Sequence, residues 1–221
     1  MDKDIKRFIK NYWNFYLRLE DDFFATLKYV EFDKKNYNTF SLEYLKLYLS
    51  VCSEIDVIGK VFAKKKNNTF ECKNADIYKW WINIQDELVE NKLISEIEVN
   101  FGDIEKIVPW KNFKVERNLQ NRIKLCDKKK VPDWWSSYNK VKHSRMDFFD
   151  QENKSSYEKA NFYNLLKAFA GLFVLENSYL KKYATDDELK CVKKSKLFQK
   201  ESKTYIEAES DSIIIDNFSL E

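Results

Sequence analysis

Apolar residues recur at intervals of three and four along most of this chain, the mark of helices that bury one face. Ile5, Phe8, Ile9, Tyr12, Phe15, Leu19, Phe23, Leu27 and Val30 keep that rhythm from Lys3 to Val30, which predicts one long amphipathic helix. After a polar connection at Phe32 to Phe40, Ser41 is placed to cap a second helix running to about Ala63. Asp76 caps a third, whose inward residues are Ile77, Trp80, Trp81, Ile84 and Leu88. From Leu93 to Val115 the period changes. Ile97, Val99 and Phe101 alternate with polar residues, and Gly102-Asp103 and Pro109 then interrupt, which predicts a β-hairpin or irregular excursion. Pro132-Asp133 opens a fourth helix through Trp134, Tyr138, Val141 and Met146. A fifth, from about Ser156 to Tyr183, is apolar nearly all round and belongs at the centre of a bundle, where Ala168, Ala170 and Gly171 let neighbours approach. Beyond Asp186 the chain is rich in lysine, and Thr204 to Ile215 reads as strand-like.

The expected fold is therefore mainly α. It is an up-and-down bundle of about five helices over residues 1–185, with a small β-hairpin insertion at 93–119. Residues 186–221 form a short, strand-like C-terminal extension packed on the same domain. Composition agrees: only three Gly and two Pro occur in 221 residues, too few turn formers for a many-stranded β fold. No run of 18 apolar residues and no apolar leader segment is present, so the expectation is a cytoplasmic chain without a membrane span. One histidine cannot build a His-containing zinc site of the usual spacing, and an all-cysteine site would need four remote segments to converge, so no metal or cofactor is expected.

The net charge of +3 makes no general case for nucleic acid, but its distribution is uneven. Arg122 to Arg145 holds eight basic residues and two acids, whereas Ile206 to Glu221 holds five acids and no base. A solvated face is the plainer reading of such a basic run. The fourth helix nonetheless concentrates chemistry. Asn139 and His143 are four apart, and Tyr138, Lys142 and Arg145 form an adjoining stripe, with Lys140 close by. An RNA-cleaving site needs these group types: an imidazole to move the 2′-hydroxyl proton, and cations for a phosphate that gains charge in the transition state. A lone histidine is more often structural. On the second helix Asp56 and Glu54 fall on different, largely apolar faces. Each is read either as half of a structural ion pair or as an acid that holds a cation of the basic site in place.

The segment YNKVKHSR, Tyr138 to Arg145, in an all-helical setting resembles the HEPN superfamily (higher eukaryotes and prokaryotes nucleotide-binding domains). HEPN toxins carry an Arg, a polar residue that is often Asn, a short spacer and then His, and many add a Tyr two residues later. Asn139 matches the polar residue and His143 the catalytic His. Tyr138 stands where the Arg belongs, and Arg145 where the Tyr belongs. As residues i and i+7 of one helix, the exchanged pair would share a face. A looser likeness to abortive-infection-type bacterial proteins rests on SEIDVIGK (Ser53 to Lys60), DWWSSYNKVKHSR (Asp133 to Arg145) and NFYNLLKAFAGLFVLE (Asn161 to Glu176).

The resemblance implies a homodimeric, metal-independent endoribonuclease of a toxin or phage-defence system, with an antitoxin or other partner protein. In it His143 is the general acid/base, Arg145 and Lys142 clamp phosphate, Asn139 orients, and Tyr138 hydrogen-bonds the site. Two alternatives stand beside it: a HEPN-like module that binds RNA, nucleotide or protein without cleaving, and an unrelated helical domain in which His143 is structural. A smaller expectation is that Glu207 to Asp216 folds over the basic helix and competes with RNA.

Overall fold

Residues 1–90, 98–99, 107–117, 123–125, 131–147 and 155–199 are described in a computed structural model of the chain, and they are mainly helical. Helix α1 (Lys3–Phe8) runs through a π turn (Ile9–Trp13) into α2 (Asn14–Thr26), forming one rod. The π turn widens the step between the buried residues Phe8 and Trp13 to five. That phase shift turns Trp13, Tyr16, Glu20 and Phe23 to the interior, whereas Phe15, expected inside, is 42% exposed. The rod stops at Thr26, short of the expected Val30, because the backbone tightens there. Leu27 and Tyr29 donate to the carbonyls of Phe24 and Thr26, at 3.1 and 3.0 Å.

The caps read from the sequence are in place. Ser41 Oγ accepts from Tyr44 N at 3.1 Å to start α3 (Leu42–Lys66), and Asp76 accepts from Lys79 N at 2.9 Å before α4 (Ile77–Glu90). Helix α5 spans Asp133–His143. The fifth expected helix is split. A 3₁₀ turn (Ser156–Lys159) comes first, and α6 (Phe162–Tyr183) begins only after the Asn161 side chain caps Asn164 N. A short α7 (Asp186–Lys190) follows.

The β structure differs from the expected insertion. Among the described residues strand β1 (Glu98–Val99) pairs antiparallel with β4 (Phe198–Gln199), far along the chain. The hairpin lies later, between β2 (Val115–Arg117) and β3 (Ile123–Leu125). The strand-like Thr204 to Ile215 lies outside the described residues.

Helix α6 is enclosed on every side. Phe169 and Phe173 meet Phe23 and Trp13 of the first rod at ring separations of 5.5 and 6.1 Å, and Tyr179 meets Phe62 of α3 at 5.5 Å. Phe173 also packs on Phe198, so residues up to 198 share this core. Helices α3 and α6 start together, Tyr44 against Phe162, and run in the same sense. Helix α4 also follows α3 without reversing. Trp80 sits against Gly59 and Asp56, and Glu87 pairs with Lys66, so residues 67–76 carry the chain back along α3 before α4 begins.

Four indoles fill the space between α3, α4, α5 and α6. Trp80, Trp81, Trp110 and Trp134 are fully buried, with Trp81 and Trp110 at 4.6 Å and Trp110 and Trp134 at 5.0 Å. Trp110 enters from the turn after Pro109, donating to Gly171 O at 3.2 Å, while Trp134 donates to Pro109 O at 2.8 Å. A glycine is required where α3 meets this cluster. At Gly59 three Trp80 ring atoms lie within 2.6 Å of where a Cβ would stand. Gly59→Ala should therefore destabilise the fold by about 1–3 kcal/mol through overpacking, despite alanine's better helix propensity. A thermal melt should show a drop of roughly 2–4 °C per kcal/mol; an unchanged melting temperature would refute this packing.

Candidate nucleic-acid interface

Helix α5 is held at its first turn and along its inner face, leaving its last turn in solvent. Tyr48 of α3 donates its hydroxyl proton to Trp134 O, and Lys167 of α6 reaches Asp133 at 2.5 Å. Trp134, Trp135, Tyr138 and Val141 are the buried face. The opposite face is polar, with Asn139, Lys140, Lys142 and His143 all exposed. Among the described residues neither Lys140, Lys142 nor Arg145 has a carboxylate partner, and Asn139 and His143 form no side-chain hydrogen bond.

Two candidates sit differently from expectation. Tyr138 is buried, its ring 6.2 Å from Tyr48 and 5.1 Å from Trp135. Burial first, then the nearby Cys52 and Asp56, push its phenol up to about 12, so it stays protonated at neutral pH and cannot act as a base. It offers instead a ring under the Lys142 ammonium, at 5.6 Å. Arg145 is not on the helix. Ser144 leaves helical geometry at φ −137°, ψ 44°, and closes α5 by donating to Lys140 O at 2.8 Å. The i and i+7 relation of Tyr138 and Arg145 is therefore lost. The Arg145 guanidinium Nε turns back to Val141 O at 3.3 Å, and its own carbonyl accepts from Tyr157 N at 3.1 Å. His143, Lys142 and Arg145 thus share the end of α5, with Arg145 in the turn that follows.

The supporting acids do not hold this group. Asp56 accepts from Lys60 on its own helix at 2.5 Å and from Trp80 Nε1 at 3.1 Å, a local ion pair that also orients an indole. Glu54 is half-buried on another face of α3, and burial raises its carboxyl to about 7. Its charge acts on Glu176 of α6, whose carboxyl it helps to raise. Of the basic run, residues 126–130 lie outside the described residues, as does Arg122.

Glu176 escaped notice in the sequence, although a carboxylate inside an otherwise apolar helix was a signal that could have found it. It is fully buried, and neither carboxylate oxygen has a hydrogen-bond partner. Burial first, then Glu54, raise its carboxyl well above the ordinary range, so it is held neutral. Glu20 on α2 makes the contrast. Equally buried, it accepts from Tyr16 Oη at 3.0 Å, Ser195 Oγ at 2.5 Å, Lys196 N at 2.9 Å and Leu197 N at 3.0 Å.

Raised in the folded state, the Glu176 carboxyl adds no ionisation penalty to folding below the unfolded-chain glutamate range. Its contribution is lost progressively as pH climbs from about 4.5 toward the folded value. Glu176→Gln should therefore gain on wild type as pH rises from 5 to 8, the melting-temperature gap widening by several degrees at about 2–4 °C per kcal/mol. Parallel pH profiles for the two proteins would contradict a neutral buried acid.

No protein family, curated protein or solved structure matches the chain.

Proposed function

We propose that this chain is a HEPN-type endoribonuclease that cuts RNA without a metal ion, in a bacterial toxin or phage-defence role in the cytosol. One observation carries the reading: the chain's single imidazole stands exposed at the end of α5, among the exposed cations Lys140, Lys142 and Arg145, none of them ion-paired among the described residues. His143 takes the proton of a ribose 2′-hydroxyl as that oxygen attacks the adjacent phosphorus. The bond to the 5′-oxygen breaks, and the returned proton completes the leaving group. Lys142, steadied on the Tyr138 ring, and Arg145 meet the phosphate oxygens, and Asn139, one turn before His143, orients the bound strand. Lys140 adds charge along the same face.

The reading calls for a second copy, and the same end of the molecule offers a surface for it. Phe40 meets Tyr157 edge-on at 5.4 Å, and Tyr157 bonds the Arg145 backbone. Phe40 and Leu42 are exposed, and Met146, next to Arg145, is 88% exposed, so these are the apolar side chains a second copy would cover. Leu42→Glu combined with Met146→Glu should convert a dimer to a monomer in analytical ultracentrifugation; a dimer that persists would move the interface elsewhere.

A second reading is favoured by one specific observation. Arg145 bonds back onto α5 and is not aligned with His143, which suits a module that binds RNA without cutting it. Total bacterial RNA incubated with the protein in EDTA separates the two. Cleavage by wild type, lowered about 10²–10⁴-fold in His143→Ala, is the expected result. Equal cleavage by both proteins would end the proposal. Intact RNA, with binding that survives His143→Ala but weakens in Lys142→Glu and in salt, would establish the second reading.

A further inference from the structure

A trough of about 410 Å³ lies on the face of the bundle away from α5, between the first rod, α6 and the segment after α7. Its floor and walls include Trp13, Phe173 and Phe198, and Lys181, Lys193 and Lys194 line it as well. The rings are buried and close the floor, while the half-buried Leu189 and Val192 and the exposed Lys193 and Lys194 line the open side. Its outer wall is also firmly fixed. Glu20 gathers Ser195, Lys196 and Leu197 through three hydrogen bonds, and Trp13 Nε1 donates to Lys193 O at 2.8 Å. The chain consequently leaves the described structure at the rim, Phe198 in the trough and Gln199 paired with Glu98.

We propose that the trough is the docking site of the chain's own residues 206–221, bound in cis. The stretch has the matching chemistry. Five acids (Glu207, Glu209, Asp211, Asp216, Glu221) and no base surround the apolar Ile213, Ile214, Ile215 and Phe218. Acids meet Lys193 and Lys194, and the isoleucines and Phe218 cover the half-buried Leu189 and Val192. Thirteen residues lie between Gln199 and Ile213, a span of up to roughly 45 Å when extended, ample for a return to the trough. Tethering at the rim sets an effective concentration on the order of millimolar, so even a weak match is occupied. The proposal replaces α5 with this trough as the place where the acidic stretch lies, and it stands independently of the ribonuclease reading.

Photo-crosslinking in the full chain tests it, with p-benzoylphenylalanine replacing Ile214 or Phe218 and the joined peptides mapped by mass spectrometry at low protein concentration. The expected products join the stretch to peptides containing Trp13, Phe173 or residues 189–198 of the same chain. Their yield should fall several-fold in Lys193→Glu, Lys194→Glu protein and in 1 M salt. Products that join two chains would assign the trough to a second copy. Products on α5, none at all, or a yield indifferent to the lysine reversals would each overturn the proposal.

Discussion

Helix α6 has no face that tolerates water, and the arrangement of the chain follows from having to cover it on every side. A helix with one apolar stripe can lie on a surface; one that is apolar around its circumference needs several partners at once. The first rod, α3, α5, the Pro109-Trp110 turn and the Phe198 segment supply them. These partners come from widely separated parts of the sequence, so the core ties residues near 8 to residues near 198. Burial of large aromatic rings provides most of the drive, since each removes some 150–250 Å² from water.

Indoles bring a second demand, because a buried N–H needs an acceptor. Trp110, Trp134 and Trp80 find Gly171 O, Pro109 O and Asp56 Oδ1, and each bond joins two elements that hydrophobic contact alone would leave free to slide. Polar groups therefore set the register of an apolar core. Glu20 does the same for the segment that returns after α7, through its three donors Ser195, Lys196 and Leu197. Glu176, buried to the same degree without a donor, fixes nothing and is a cost the fold carries.

What the sequence made legible was whatever depends on local rules. The caps at Ser41 and Asp76, the central place of α6 and the polar outer face of α5 follow from side-chain chemistry and helical period. What it hid depends on contacts distant in sequence. A π turn adds one residue to a pattern that still looks helical on either side, so Phe15 was assigned to the wrong face. Trp110 sits in a stretch whose alternation reads as strand, yet its indole is drawn into the core by Trp81 and Gly171. The pairing of Glu98–Val99 with Phe198–Gln199 has no local signal at all. At the site, the exposure of His143 and Lys142 was readable. The departure of Arg145 was not, because Ser144 ends α5 without the glycine or proline that usually announces a helix end.

The position of that site on its helix constrains any chemistry it performs. Lys140, Lys142 and His143 crowd the last turn of α5, where the unpaired carbonyls carry partial negative charge and favour cations for reasons of stability alone. A phosphate approaching this end gains nothing from backbone N–H groups, which point the other way along the helix; phosphate-binding helices present their N-termini instead. Attraction at α5 must then come wholly from side-chain charge, opposed by the carbonyl end of the dipole. The turn that follows eases this opposition, since Ser144 N and the Arg145 guanidinium each satisfy a terminal carbonyl, Lys140 O and Val141 O. By occupying Val141 O, Arg145 covers a carbonyl whose charge would repel any phosphate brought to the neighbouring lysines. In the proposed ribonuclease, the residue displaced from the helical stripe would thereby help a helix C-terminus to face an anion.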